Sequence, residues 1–189
     1  CIRDRYLCFD VNEETLPAAV AGLKTCGIRG FNLTMPNKNK IVELLDELSP
    51  EAQLIGAVNT VLNDNGKLIG YNTDGYGFMQ SVRDAGHDIT GKNITVMGVG
   101  GASMAICAQS ALDGAASVHI FARRTSRYWN RTQKFAENLS AKTGCQVCLF
   151  DNDDHTALRD SIAQSYLLIN ATSVGMVPDI DDTIIKDTS

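Results

Sequence analysis

Apolar and polar positions along this chain follow two periods, and the changes from one to the other mark out its elements. Over residues 13–26, Leu16, Ala19, Val20 and Leu23 fall at helical spacing, and Gly27 supplies a left-handed stop. Residues 5–11 alternate loosely and read as a strand, as do residues 28–33. The opening therefore predicts a β-α-β unit whose second strand is parallel to its first. Ile41, Val42, Leu44, Leu45 and Leu48 then describe an amphipathic helix. Thr34 serves as its N-cap, and Pro36 sits in the first turn, where a missing N–H costs nothing. Ser49-Pro50 opens a short helix that Gly56 ends. Residues 57–62 and 67–71 are strands joined through Asn63-Asp-Asn-Gly66, and the Asn-Gly pair predicts a hairpin. A helix carrying Phe78, Val82 and Ala85 stops at Gly86.

The second half alternates strand and helix. Ile94, Val96 and Met97 make a short apolar run that ends in glycines, and from Ala102 the pattern turns helical through Ala105, Ile106, Ala108 and Leu112. Residues 117–121, 145–150 and 166–171 follow as strands, with helices at 127–142 and 155–164 between them. Strands and helices at this spacing imply a parallel sheet of Rossmann type. The fold class is α/β, in two domains over residues 1–90 and 91–189.

Three places carry candidate chemistry. The first is the strand-to-helix turn Gly98-Val-Gly100-Gly101-Ala102, which leaves backbone N–H groups at the positive end of a helix dipole. It also lets the main chain approach a pyrophosphate. Its fit to the dinucleotide pattern is imperfect, because Ser103 holds the third small position. The second is Lys38, in the first turn of the expected helix. There it is either a solvated lysine or an ammonium at the carboxyl end of a strand, with its pKa drawn toward neutrality. The third is Asp74 at a helix entrance, either an N-cap or a carboxylate facing Lys38. Asn59 lies in a strand, where Asn is disfavoured, so its amide needs a specific partner.

Composition narrows the classes further. A net charge of −5 over 189 residues gives no footprint for nucleic acid. No apolar run approaches ~20 residues, so nothing reads as a membrane span, and no signal peptide is visible. Six cysteines sit mostly in apolar periodic segments and read as reduced, buried thiols of a cytoplasmic protein. The lone Cys145-x-x-Cys148 and the scattered histidines give no metal site. The chain starts at Cys1 and stops shortly after a strand, so both ends read as cut.

Four motifs stand in order and in register: Asn32-Leu-Thr-Met-Pro-Asn-Lys38, Gly56-Ala-Val-Asn-Thr60, Gly70-Tyr-Asn-Thr-Asp-Gly75 and the glycine turn Gly98–Ala102. Together they resemble the shikimate dehydrogenase family, and its quinate/shikimate dehydrogenase branch in particular, from about Tyr6 to Met176. The resemblance implies a substrate-binding domain over 1–90 and an NADP-binding Rossmann domain over 91–189. It implies reversible NADP-dependent reduction of 3-dehydroshikimate to shikimate in aromatic amino-acid biosynthesis. Lys38 would move the proton and Asp74 would hold it in place, while Asn59, Thr34 and Asn32 bind the substrate. Gly98, Gly100, Gly101 and Ala102 would cradle the dinucleotide, and the loop of Thr172 and Met176 would pass its nicotinamide end. After the second Rossmann strand, Arg123, Arg124 and Thr125 stand with no carboxylate, which favours NADP on charge grounds, with NAD still possible.

In the family, a serine pair precedes the point where this chain begins and a glutamine follows Ser189, so the piece alone is expected to turn over little. Rival readings are a dehydrogenase preferring quinate, a methylenetetrahydrofolate dehydrogenase, and a non-catalytic nucleotide-binding module. The partner expected is a small-molecule substrate, shikimate or quinate; a homodimer stays open.

Overall fold

The computed structural model describes residues 5–185. By its internal contacts the chain divides into two units, one running to Asn72 and the other starting at Thr73.

In the first unit, helix α1 (Leu16–Thr25) leads through Gly27, at φ +66°, to strand β1 (Gly30–Asn32). A single turn, α2 (Asn37–Lys40), runs on into a 3-10 turn (Ile41–Leu44), followed by β2 (Glu47–Leu48) and α3 (Pro50–Ile55). The hairpin β3 (Thr60–Asp64) and β4 (Lys67–Tyr71) completes a sheet in the order β1-β3-β4-β2. Its turn forms as the Asn-Gly pair predicts: Asn65 and Gly66 take φ +52° and +92°, and Gly66 N–H donates to Asn63 Oδ1 at 2.8 Å. Leu16, Val20, Ile41, Ala52, Val58, Val61 and Leu68 make the buried core.

Three expectations for this unit are corrected. Residues 5–11 form no strand: Tyr6, Leu7 and Phe9 are 77%, 64% and 66% exposed, and β1 pairs only with β3, antiparallel. Alternation becomes a strand only where a neighbour completes its ladder, so no β-α-β unit opens the described chain. The amphipathic helix over 41–48 breaks at Leu45, whose backbone is extended at φ −105° and ψ 147°. Asp46 explains the break, because its N–H donates to Leu68 O at 3.0 Å and its carboxylate accepts from Leu68 N–H at 2.7 Å. Those bonds draw β2 parallel to β4, and Leu45 and Leu48 still reach the core from the new conformation. Thr34 is not an N-cap; Pro36 holds that position, and Thr34 offers its carbonyl to Asn37 N–H at 3.0 Å.

The second unit begins with α4 (Asp74–Asp84), packed on α5 (Gly101–Leu112). Thr73 occupies the N-cap position, so Asp74 is the first helical residue rather than the cap. Strands β5 (Asn93–Met97), β6 (Ser117–Ala122), β7 (Gln146–Asp151) and β8 (Leu167–Asn170) form an all-parallel sheet in the order β7-β6-β5-β8. Helices α6 (Trp129–Thr143) and α7 (His155–Gln164) cross between its strands. Ile94, Val96, Met97, Val118, Ile120 and Phe121 are all but sealed, as central parallel strands require. The units meet in sequence at 72–73, so α4 groups by contacts with the second unit and not with the residues before it.

Cys107 and Cys145 are buried as expected, but Cys8 and Cys26 are exposed; Cys1 lies outside the described residues. Among the described residues no helix is long and apolar enough to cross a membrane, and no cluster suited to a metal ion occurs.

Candidate active site

In the first unit the sheet and the loop after β1 bring three of the expected residues together. The carbonyl of Lys38 accepts from Val58 N–H at 2.8 Å, which fixes the lysine's backbone beside the start of the hairpin. Asn59 is buried; its N–H donates to Tyr71 O at 3.0 Å and its carbonyl accepts from Leu33 N–H at 2.8 Å. Asn32 donates from Nδ2 to Thr60 Oγ1 at 2.9 Å, and Thr60 Oγ1 donates to Asn59 Oδ1 at 3.0 Å. The Asn59 amide thus has a specific partner, although Asn59 sits one residue before β3 and not in the strand expected for it. Lys38 itself is half-buried. Because α2 is one turn long, the helix dipole invoked for Lys38 has little length to act through.

Thr34 is exposed in the same loop. Asp74 belongs to the second unit.

Residues with no signal in the pattern complete this cluster. Tyr6 Oη donates to Asn32 Oδ1 at 3.0 Å, and Asn72 Nδ2 donates to Ala57 O at 3.1 Å. Asn37 Nδ2 donates to Val11 O at 2.6 Å, tying the first described residues to the Lys38 loop. Only the clustering of Asn residues hints at them. Asn is a poor strand former, and each of these amides serves a hydrogen bond rather than a turn.

In the second unit the glycine turn sits at the carboxyl edge of β5, where the strand order reverses between β6 and β8. Gly98 has φ +112°, and a Cβ there would meet Ala171 O and Thr172 Cγ2 at 2.9 Å, so its glycine is demanded by the protein's own packing. Gly100 and Gly101 differ: a Cβ at either meets nothing within 4 Å. No side chain caps α5, so its first-turn N–H groups have no side-chain acceptor, and donors of this kind suit the chemistry of a pyrophosphate. Ser103, at the imperfect third position, is buried and donates to Gly98 O at 2.6 Å, which ties the turn closed.

Past β6, Arg123, Arg124 and Thr125 are exposed. The Arg124 guanidinium lies 4.6 Å from the ring centre of Trp129, and the Arg124 backbone N–H donates to Asp151 Oδ1 at 3.4 Å. Thr172 N–H and Oγ1 donate to Asn170 Oδ1 at 3.0 and 2.7 Å, shaping the loop after β8 on which Met176 is exposed. Burial pushes the Cys107 and Cys145 thiols up to about 12 and about 11, which removes both as nucleophiles.

This fold and these two clusters define an α/β protein with a Rossmann-type unit and, in the other unit, a smaller hydrogen-bonded polar site. The model of the shikimate dehydrogenase substrate binding domain matches residues 2–61. The shikimate dehydrogenase (NADP(+)) of Listeria innocua serovar 6a is 48% identical over 180 residues, 95% of this chain and 62% of that protein. The quinate/shikimate dehydrogenase of Escherichia coli SMS-3-5 is 40% identical, over 97% of this chain and 64% of that protein. The crystal structure of shikimate 5-dehydrogenase from Listeria monocytogenes, in complex with shikimate and NAD, aligns with TM-score 0.93 at 46% identity. That alignment covers 96% of this chain and 63% of that one. Along nearly its whole length the chain is similar to shikimate and quinate/shikimate dehydrogenases. It spans less than two thirds of the length of these relatives.

Proposed function

We propose that the protein is a shikimate dehydrogenase, reversibly reducing 3-dehydroshikimate to shikimate with NADP. The observation that carries this reading is the polar cluster in which Lys38, Asn59 and Asn32 are held by backbone and side-chain hydrogen bonds where the hairpin begins. A bound nicotinamide dinucleotide supplies or accepts the hydride. The chain's own residues do the rest. The Lys38 ammonium gives a proton to the carbonyl oxygen as it becomes an alkoxide, and its amine takes the proton back in the reverse direction. Asp74 is the carboxylate that positions a ring hydroxyl of the substrate. Asn59, Asn32 and Thr34 bind the remaining hydroxyls, and a ligand lacking them leaves these groups unpaired.

Gly98 and Ser103 shape the turn, and the N–H groups of Gly101 and Ala102 bind the pyrophosphate. Arg123, Arg124 and Thr125 bind a 2′-phosphate, and Thr172 and Met176 line the nicotinamide end. The 1–90 division assigns substrate binding to the residues before the Rossmann sheet. The test is an assay of the complete protein with shikimate and quinate against NADP and NAD. Shikimate-dependent reduction of NADP supports the reading, and no turnover with either acid removes it.

A second reading, a quinate/shikimate dehydrogenase that also uses NAD, draws on the E. coli relative and on the NAD in the L. monocytogenes complex. Efficient turnover of quinate with NAD in the same assay selects it.

A further inference from the structure

Gly75 follows Asp74 in the first turn of α4, and it is where α4 crosses α5. A Cβ at this buried position would run into the carbonyl oxygen of Ala105, with Ala105 C at 2.8 Å and Gln109 Cβ at 3.0 Å. The Ala105 atoms are helix backbone and cannot rotate aside, so only glycine lets the helices seat this closely. Gly77, two residues on in the same helix, provides the contrast: a Cβ there meets nothing within 4 Å. One turn beyond Gly75, Ser110 Oγ donates to Met79 Sδ at 3.5 Å. One turn further, Arg83 pairs with Asp113 at 2.7 Å. The contacts at 75, 79 and 83 therefore climb α5 in the same direction, and the helices are fastened along their length. The N-terminus of α5 carries Gly101 and Ala102 of the dinucleotide turn.

We propose that Gly75 is a positioning residue for the reaction: by seating α4 on the α5 backbone it fixes Asp74 relative to the dinucleotide turn. The proposal rests on the role given above to Asp74. Because α5 and its turn stay anchored on the sheet when α4 is pushed away, the expected signature is lost turnover with unchanged nucleotide affinity.

The test is a double-mutant cycle in the complete protein, with NADP affinity measured alongside kcat. Gly75→Ala is expected to lower kcat about a hundredfold, the scale of an ångström misplacement, with the Kd for NADP unchanged. Gly77→Ala is expected to leave both unchanged. In an Asp74→Asn background, Gly75→Ala should cost little more. Where Gly75→Ala does not fold, Gln109→Val applies the same push from α5 and is expected to give the same split. Equal losses in both backgrounds, or a fall in NADP affinity matching the fall in kcat, overturn the proposal alone. An Asp74→Asn enzyme with intact kcat overturns the role of Asp74 and the proposal with it.

Discussion

Lys38 is placed by its main chain before its side chain does anything. Its carbonyl is bonded to Val58 N–H, next to the buried Asn59, so the amine starts from a fixed root. Lys38→Ala is expected to lower kcat about 10²–10⁴-fold, the range of a lost acid–base group, with a modest change in KM. A large rise in KM with kcat intact in steady-state kinetics would make it a binding residue instead. The role proposed for Arg123 and Arg124 predicts a different outcome: replacing both with Ala should weaken NADP far more than NAD in paired titrations. At this scale the sequence exposed residues that are out of place for the element expected there, such as Asn59 in an expected strand, which the structure places one residue before β3, or Lys38 in a first turn. It did not expose Tyr6 or Thr60, because a Tyr or Thr in an extended segment needs no explanation. Their hydroxyls matter only through Asn32, a neighbour brought close by the fold.

The elements of the parallel sheet were legible because its central strands, buried on both faces, leave short apolar runs and each helix crosses back with its own period. The stretch 41–48 was not legible. Its apolar spacing suits a helix, but the same side chains reach the core from a short turn followed by a strand, and Asp46 decides between them through Leu68. The glycine turn divides into two kinds of glycine, and their substitutions should separate. Gly98→Ala is expected to cost about 1–3 kcal/mol in denaturant unfolding, since it strains the backbone and meets Ala171 and Thr172. Gly100→Ala should leave the melting temperature in place and weaken dinucleotide binding, because Gly100 has an ordinary extended backbone and open space beside it.

His119 on β6 accepts or donates to Ser161 Oγ on α7 at 2.9 Å with Phe150 edge-on, and burial pushes its pKa below the ordinary 6.5. Above that value both folded and unfolded chains hold a neutral ring and nothing is lost. As pH falls below 6.5 the unfolded chain takes up the proton first, and stability drops until the folded pKa is passed. Melting curves from pH 7.5 to 5 should show this fall, and His119→Gln should flatten it.

Over the whole molecule, the alternation of strands and helices pointed to the parallel sheet, whereas the division by contacts was hidden. Asp74 stands beside Asn72 in one motif, yet the contacts part the chain between Asn72 and Thr73 and give α4 to the second unit. Packing made that choice: a glycine at 75 and a buried Met79 fit the surface of α5, and no local pattern announces which helix a stripe will meet. Trp129 is the chain's one tryptophan, is 9% exposed, and lies under the Arg124 guanidinium. The protein therefore carries its own optical probe at the far end of the proposed dinucleotide site. When a phosphate draws Arg124 off the indole, the emission of that single fluorophore should change, so nucleotide arrival can be followed in unlabelled material before any turnover begins.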